Sequence, residues 1–292
     1  MHKKFSVILF LFFITIPLLY GQRSIQSFDN NWTINLTVNY HSLLFVQDTF
    51  FICRTNKPLD LGFGVKYKKF ALGFSIELPY TSEYFRPQSE SFEFNLDYVA
   101  QKFIVNAYLS RYHSFFTDNL MDGNKAIDLD IMSAGSSFRW ILNYERHSLQ
   151  GIYKLDRKLT SSSGSPLVGF GAYYNTLYSD DKKLPGYETR QHYIYASPLV
   201  GYSYILVLPG QIFIQSDLVV GINNGLNVNE QKFAFMPIIS PHATIGQHLG
   251  SWTFSFSFDA TYFVNFQSFQ DGLEWHQLVK MKIAMLRIMK RF

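Results

Sequence analysis

Hydrophobic and polar residues alternate along much of the chain, most regularly in Ser251–Val264. One set of alternate positions in this segment is apolar or aromatic: Trp252, Phe254, Phe256, Phe258, Ala260, Tyr262 and Val264. The positions between them are polar: Ser251, Thr253, Ser255, Ser257, Asp259 and Thr261. Because successive side chains of a strand point to opposite faces, the pattern predicts a β-strand with one apolar and one polar face.

The same alternation recurs in Leu59–Tyr67, Phe70–Leu78, Ser91–Tyr98 and Gln211–Val220. A soluble barrel or sandwich turns the apolar faces of such strands inward, whereas a transmembrane barrel turns them toward lipid and keeps the polar faces for its lumen. In a transmembrane barrel, the polar faces would place the following side chains in the lumen: Asp60, Lys66, Glu77, Glu93, Asn95, Asp97, Asp217 and Asp259.

Strand length favours the transmembrane barrel. From Trp252 to Tyr262 the chain extends over roughly 33 Å at the usual rise per residue. A tilt of about 40° reduces this length to roughly 25 Å, which is the height of the apolar band of a membrane barrel. Trp252 and Tyr262 would then lie at the two membrane interfaces, where such barrels carry girdles of aromatic residues.

Turn residues and polar segments divide the chain into predicted strands, among them 48–55, 59–68, 146–154 and 166–177, and into tight and long connections, the long ones including 223–231 and 267–274. Tight and long connections alternate except around the predicted strand 166–177. Two long connections flank that strand, so either one strand is miscounted or one hairpin lies outside the wall. We predict an all-β fold, a transmembrane antiparallel barrel of about 12 strands within a range of roughly 10 to 14. The last strand covers residues 277–291, although its apolar spacing also fits a helix.

The N-terminal residues differ from the rest. Lys3 and Lys4 precede the apolar run Phe5–Leu19, and the small residue Gly21 follows. This order is typical of a cleaved secretory signal peptide, and the apolar run is shorter than the ~20 residues of a membrane-spanning helix. We therefore predict a signal peptide at residues 1–21 and one barrel domain at residues 22–292, exported to the outer membrane.

Composition narrows the classes of function. The chain is 47% hydrophobic, 18% aromatic and only 16% charged, which excludes a disordered protein. A formal net charge of +4 is too small to favour nucleic acid as a partner. A single cysteine, Cys53, excludes a disulfide scaffold within the chain.

Candidate chemistry is sparse in the sequence. The eight histidines show no zinc-binding spacing, and no Gly-x-Ser-x-Gly motif is present. Glu93 and Asp97 lie roughly 13 Å apart along one strand face, too far for an acid/base pair that acts on one bond. We predict no catalytic, metal or cofactor residues. A hydrolase at the barrel rim, with Ser110, His113 or Ser114, is the less favoured alternative.

Several motifs resemble one known family. Arg54–Tyr67, which reads RTNKPLDLGFGVKY, is similar to a run of that family that leads into a Tyr-containing strand. Ser163–Gly169 resembles a second family segment, and the Arg291-Phe292 ending also fits. The family consists of outer-membrane barrels of Bacteroidota and is catalogued as domain of unknown function 4421. The resemblance implies a barrel in the outer membrane and brings no activity or catalytic residues.

Three functions remain open at this point. The first is a narrow solute pore or a closed structural barrel. The second is an accessory barrel that binds a secreted or cell-surface protein through its extracellular loops, and the third is the rim hydrolase. In each case the expected partners are outer-membrane lipid and, during biogenesis, the barrel-assembly machinery.

Overall fold

The computed structural model describes residues 25–27, 31–47, 51–55, 59–78, 90–117, 126–147, 157–180, 190–229, 232–269 and 272–292. The predicted signal peptide lies outside these ranges. The strands are β1 (Ile25–Ser27), β2 (Trp32–Gln47), β3 (Phe51–Arg54), β4 (Leu59–Tyr67), β5 (Phe70–Glu77), β6 (Glu90–Val99), β7 (Phe103–Thr117), β8 (Ala126–Ile141), β9 (Arg157–Leu159), β10 (Ser163–Ser179), β11 (Gln191–Leu208), β12 (Ile212–Asn227), β13 (Lys232–Leu249), β14 (Trp252–Phe269) and β15 (Gly272–Arg291). A short 3-10 turn, Pro209–Gln211, joins β11 to β12.

The strands form a closed antiparallel barrel. Its wall has twelve strands, β2, β4 to β8 and β10 to β15, and it closes where β15 pairs with β2 from Gln277–Gln47 to Arg291–Thr33. This closure confirms the predicted barrel and the predicted strand number. It also confirms that residues 277–291 form a strand. Among the described residues, no helix has the length and apolar character that a membrane span requires.

Two predicted strands, 48–55 and 59–68, form one interrupted wall strand. β3 and β4 both pair with β2, at Leu44–Arg54 and at Tyr40–Leu59 respectively. Beyond the ends of the short strands β5 and β6, β3 pairs directly with β7 at Cys53–Thr117 and Arg54–Phe116. At the level of β3, the strands β5 and β6 no longer take part in the wall. The barrel has two fewer strands there and is narrower.

β8 pairs directly with β10 from Ile141–Leu167 onward, so no wall strand lies between them. Of the strand expected at 146–154, residues 148–154 lie outside the described residues. Residues 142–146 form a turn instead, and the following described segment, β9, pairs with β1 in a separate two-stranded sheet. The turn at 142–146 and the separate sheet of β1 and β9 explain why two long connections flank the predicted strand 166–177. The long loops predicted at 223–231 and 267–274 are also wrong, since β12, β13, β14 and β15 extend into them.

The two ends of the barrel differ. Both chain termini of the barrel and the tight turns at Lys68–Lys69 and Gly250–Ser251 lie at one end, here called the turn end. The opposite end, where β2 ends at Gln47 and β10 ends at Ser179, is called the loop end.

Buried hydrophobic side chains fill the barrel at two levels. The upper cluster, near the loop end, comprises Leu43, Phe45, Cys53, Tyr112, Phe115, Ile127, Leu129, Ile131, Leu177, Tyr193, Tyr195 and Met236. The lower cluster, near the turn end, comprises Val99, Ile104, Ile141, Leu167, Ile205, Phe213 and Met289. Polar side chains occupy the inner face between them.

The outer face is apolar. Large hydrophobic side chains on this face are exposed on every strand from β10 to β15 and from β2 to β6, among them Leu36, Phe63, Phe74, Phe94, Val200, Leu218, Phe256 and Leu286. A soluble barrel would bury such side chains, so this surface is that of an outer-membrane-type barrel.

Candidate functional site: a polar chamber inside the barrel

Strand alternation places all the sequence-predicted lumen residues on the inner face. Asp60, Lys66 and Asp217 are buried there, and Glu77, Glu93, Asn95, Asp97 and Asp259 are partly buried. Asp60 lies opposite Glu77 across β4 and β5, and Ser75 lies opposite Glu93 across β5 and β6. Asp217 and Asp259 lie on β12 and β14, on either side of His242 of β13.

His41 joins two of these carboxylates. Its Nε2 atom lies 3.3 Å from Asp60 Oδ2, and its Nδ1 atom lies 3.4 Å from Glu93 Oε1. The Tyr112 hydroxyl donates a hydrogen bond to the same Glu93 oxygen. Three strands, β2, β4 and β6, thus meet through one imidazole in the interior of the barrel.

A second polar group surrounds His242. Its Nδ1 atom contacts Asp259, and its Nε2 atom lies 2.8 Å from Thr244 Oγ1, which in turn lies 2.8 Å from Ser257 Oγ. Further along the same two strands, His248 Nδ1 lies 2.8 Å from Thr253 Oγ1 and Arg291 Nη1 donates to that hydroxyl at 2.6 Å. Polar contacts therefore follow the inner faces of β13 and β14 from mid-barrel to the turn end.

Asp259, His242 and Thr244 are linked in the order carboxylate, imidazole, hydroxyl. This is the order of a catalytic triad with a nucleophilic hydroxyl. The Thr244 side chain is buried and already bonded to Ser257. The backbone N–H groups around it lie in the β-ladder with β12 and β14, so they are not directed at a position where an oxyanion would form. A structural polar network accounts for this arrangement.

A cavity of about 300 Å³ lies beside the His41 cluster. It is bounded by β2, β4 to β8 and β15, and one wall consists of residues with little or no side chain, Gly62, Gly64, Ala71, Gly73 and Ser75. We call this cavity the chamber. Its polar lining is contributed by Asn35, Thr37, Asn39, His41, Lys66, Glu93, Asn95, Asp97, Asn106, Arg139 and Arg287.

One acceptor atom of the chamber lining is buried without a hydrogen-bond donor among the described residues. It is Oδ1 of Asn39, in a residue that is 4% exposed. Buried acceptors are normally satisfied, because leaving one unpaired costs about 1–3 kcal/mol. The chamber is thus suited to a guest that donates hydrogen bonds.

The residues of the hydrolase alternative are not brought together. Ser110 faces the lumen opposite Ser133, whereas His113 lies outward opposite Asp130, with Nδ1 at 3.7 Å from Asp128 Oδ1. Ser114 lies at a bulge of β7 with a φ of 63°. Within the described ranges, no three His, Cys, Asp or Glu side chains are grouped so that they could hold a metal ion.

The sequence pattern did not reveal the interior positions of His41, His242 and Arg287. These residues belong to strands whose alternation is less regular than that of β14. A signal was present for His41, since Thr37, Asn39 and His41 form a polar every-second-residue series on β2.

Aromatic residues mark both ends of the outer apolar face. Near the turn end, Trp32 and Tyr67 have ring centroids 4.5 Å apart, and Trp252 lies under Lys290 Nζ, 5.0 Å from its ring centroid. Toward the loop end, Lys280 Nζ lies 5.1 Å from the ring centroid of Tyr262. Aromatic rings with lysine ammonium groups beside them are suited to the boundary between lipid and water.

Comparison with known proteins identifies one family whose sequence model matches the chain and several similar solved structures. A sequence model of the family described as domain of unknown function (DUF4421) matches residues 24–270. No curated protein matches the chain.

Three solved structures illustrate the similarity to outer-membrane proteins. The outer-membrane protease OmpT of Escherichia coli is 6% identical, with 93% of this chain and 99% of that chain covered and a TM-score of 0.38. OmpT of Vibrio cholerae is 8% identical, with coverages of 92% and 100% and a TM-score of 0.35. The toluene transporter TodX of Pseudomonas putida is 8% identical, with coverages of 91% and 91% and a TM-score of 0.32. The barrel assignment rests on the strand pairing of this chain itself.

Proposed function

The chain belongs to the DUF4421 family, and from its barrel geometry we propose that it is an outer-membrane barrel with an occluded lumen, not an open porin. The observation that carries this proposal is the filling of the lumen at two levels. The upper and lower clusters together place large side chains such as Phe45, Phe115, Ile141 and Phe213 across the barrel. We also propose a signal peptide at residues 1–21. The family resemblance implies an origin in Bacteroidota, which is part of the same proposal.

The outer surface supports the membrane location. Phe254, Phe256 and Phe258 are each more than 40% exposed on one face of β14, between Trp252 and Tyr262. Burying this face in lipid removes apolar surface from water, which contributes roughly 25 cal/mol per Å². The predicted partners, outer-membrane lipid and the barrel-assembly machinery, follow from this location.

A gated pore is the second candidate function. The polar contacts along β13 and β14, from His242 to Arg291, offer a hydrophilic path past the lower cluster. Displacement of the upper cluster alone would then connect the chamber with the loop end. An accessory barrel that binds a surface protein stays a hypothesis, since the long connections at 79–89, 118–125 and 181–189 lie outside the described residues.

Fractionation and conductance measurements test the proposal. We expect the native chain in the outer-membrane fraction, with heat-modifiable migration on a gel. In planar bilayers we expect no steady open-pore current. The double variant Phe45→Ala/Phe115→Ala, which empties the upper cluster, would introduce brief openings, whereas Leu286→Ala on the outer face would not. Porin-like steady conductance of the native chain, or its recovery as a soluble monomer, would contradict the proposal.

A further inference from the structure

The chamber combines hydrogen-bonding groups, compensated charges and one apolar face. We propose that it binds one small neutral polyhydroxylated molecule of about monosaccharide size. The inference rests on the proposed occluded barrel, because an open pore would not retain such a molecule.

The size of the chamber limits the guest. A volume of about 300 Å³ corresponds to roughly ten water molecules at about 30 Å³ each. It lies at the lower end of the range of about 300–1,000 Å³ for small-molecule sites. A single hexose or a polyol of similar size fits this space, and an oligosaccharide does not.

The charges around the chamber compensate one another. His41 lies between Asp60 and Glu93 at 3.3 and 3.4 Å. Arg287 has Asp97 and Asp259 as its electrostatic partners. Lys66 and Arg139 complete a lining that carries both signs on several strands. An ionic guest would meet repulsive as well as attractive groups, whereas a neutral guest can use all of them as hydrogen-bond partners.

Amide side chains dominate the neutral part of the lining. Asn35, Asn39, Asn95 and Asn106 each carry both a donor group and an acceptor atom. The buried acceptor of the lining without a donor, Oδ1 of Asn39, favours a guest that donates. A hydroxyl group donates one hydrogen bond and accepts others, so several hydroxyls on one ring match this mixture.

β15 supplies the apolar part of the chamber. Ile283, Met285 and Met289 line it from this strand, across from the polar side chains of β6. A pyranose ring has a face of C–H groups and a rim of hydroxyls, and this arrangement matches a site with one apolar and several polar walls. The flexible thioethers of methionine adapt to the shape of such a face.

A variant that fills the chamber tests the inference. A Cβ atom on Gly73 would meet only Asn95 Cβ, at 3.9 Å, so Gly73→Leu extends into the chamber without a backbone collision. Asn224→Leu, at an exposed position on the outer face, is the matched control. The full chain is refolded in detergent with glucose, galactose or mannose, or with glycine, lysine or inorganic phosphate, then desalted and its retained solute quantified.

We expect the native chain and Asn224→Leu to retain a monosaccharide at up to one molecule per chain, and Gly73→Leu to retain at least about tenfold less. No retained monosaccharide, equal retention by Gly73→Leu, or a preference for glycine, lysine or phosphate would overturn the inference. If Gly73→Leu does not regain heat-modifiable migration, Asn95→Leu replaces it.

These outcomes differ from a failure of the proposed function. A soluble chain or steady porin-like conductance would refute the occluded barrel whatever solute is retained. A heat-modifiable, non-conducting barrel without bound sugar would refute the chamber's ligand alone.

Discussion

His41 Nε2 lies 3.3 Å from Asp60 Oδ2, and both side chains are at most 5% exposed. The same imidazole reaches Glu93, so it holds two carboxylates of different strands in the barrel interior. We expect His41→Leu to lower the free energy of unfolding by about 3–5 kcal/mol, because it leaves two buried carboxylates without the imidazole that contacts both of them. Urea titration of the refolded barrel in lipid vesicles, followed by tryptophan fluorescence, measures this change.

A surface histidine and a double variant provide the controls. His192→Leu replaces an outward-facing histidine that hydrogen-bonds to exposed Tyr174, and it should change stability by less than about 1 kcal/mol. His41→Leu/Asp60→Leu should recover part of the loss, since the double variant removes one carboxylate together with its partner. A His41→Leu effect no larger than that of His192→Leu would show that the cluster is not a structural centre.

Two glycines on the inner face should differ in how strongly they respond to the same substitution. A Cβ on Gly169 would lie 2.2 Å from the backbone oxygen of Phe138, whereas the nearest atom to a Cβ on Gly73 would be 3.9 Å away. We expect Gly169→Ala to destabilise the barrel by about 1–3 kcal/mol, the usual effect of overpacking. Gly73→Ala should change stability by less than about 0.5 kcal/mol. Equal effects in urea titrations would contradict the packing of β10 against β8.

Arginine substitutions along β14 test which medium surrounds the barrel. Phe256 is 50% exposed in the middle of the apolar face, and Trp252 is 41% exposed at its turn end. In lipid vesicles we expect Phe256→Arg to destabilise by about 2–4 kcal/mol and Trp252→Arg by only about 0–1 kcal/mol, because the penalty depends on depth in the bilayer. If water surrounded this face, neither exposed position would show such a penalty.

The outer face was predictable because it follows a local rule. Lipid requires an apolar residue at every second position, so β14 and β4 can be identified from sequence alone, and their closure into a barrel follows from the need to leave no open edge. Segments beyond the apolar band have no such constraint. The polar ends of β12 and β14, such as Asn223 to Asn227, were therefore assigned to loops although they continue the strands.

The interior depends on contacts that no local pattern contains. His41 meets Asp60 and Glu93 only because β2, β4, β5 and β6 pair in one particular register. A shift of one residue would turn each of these side chains to the lipid face. Alternation could place Asp60 and Glu93 on an inner face, but it could not show that a histidine joins them or that a chamber lies beside them.

The turn that follows β8 was missed for a related reason. Its residues bond to side chains and backbone of the barrel: the Asn143 N–H donates to Ser165 Oγ at 2.9 Å, and the Asn143 side chain donates to Gly164 O at 2.9 Å. Tyr144 packs against the lower cluster. These contacts hold the turn at the turn end of the barrel. The sequence around Tyr144, taken alone, resembles an ordinary tight connection between strands.

His147 at the end of this turn should make the barrel sensitive to acid. It is fully buried, with Nδ1 at 3.1 Å from Ser163 Oγ and Nε2 at 2.9 Å from Ser203 Oγ. Burial lowers the pKa of His147 from its ordinary value of 6.5 to about 4. The folded state therefore keeps the imidazole neutral, whereas the unfolded chain takes up a proton between these two values.

The sign of the effect follows from this difference. His147 contributes its full stabilisation above pH 6.5, and the contribution is lost as the pH falls from 6.5 toward 4. At a pH of about 5 the loss amounts to about 2 kcal/mol. His147→Gln keeps a neutral hydrogen-bonding side chain and does not titrate, so the pH dependence of its stability should be shallower by this amount. Urea titrations at several pH values compare the two proteins, and all other titrating groups cancel in the difference. Identical pH profiles would show that His147 does not hold the turn in place through its neutral form.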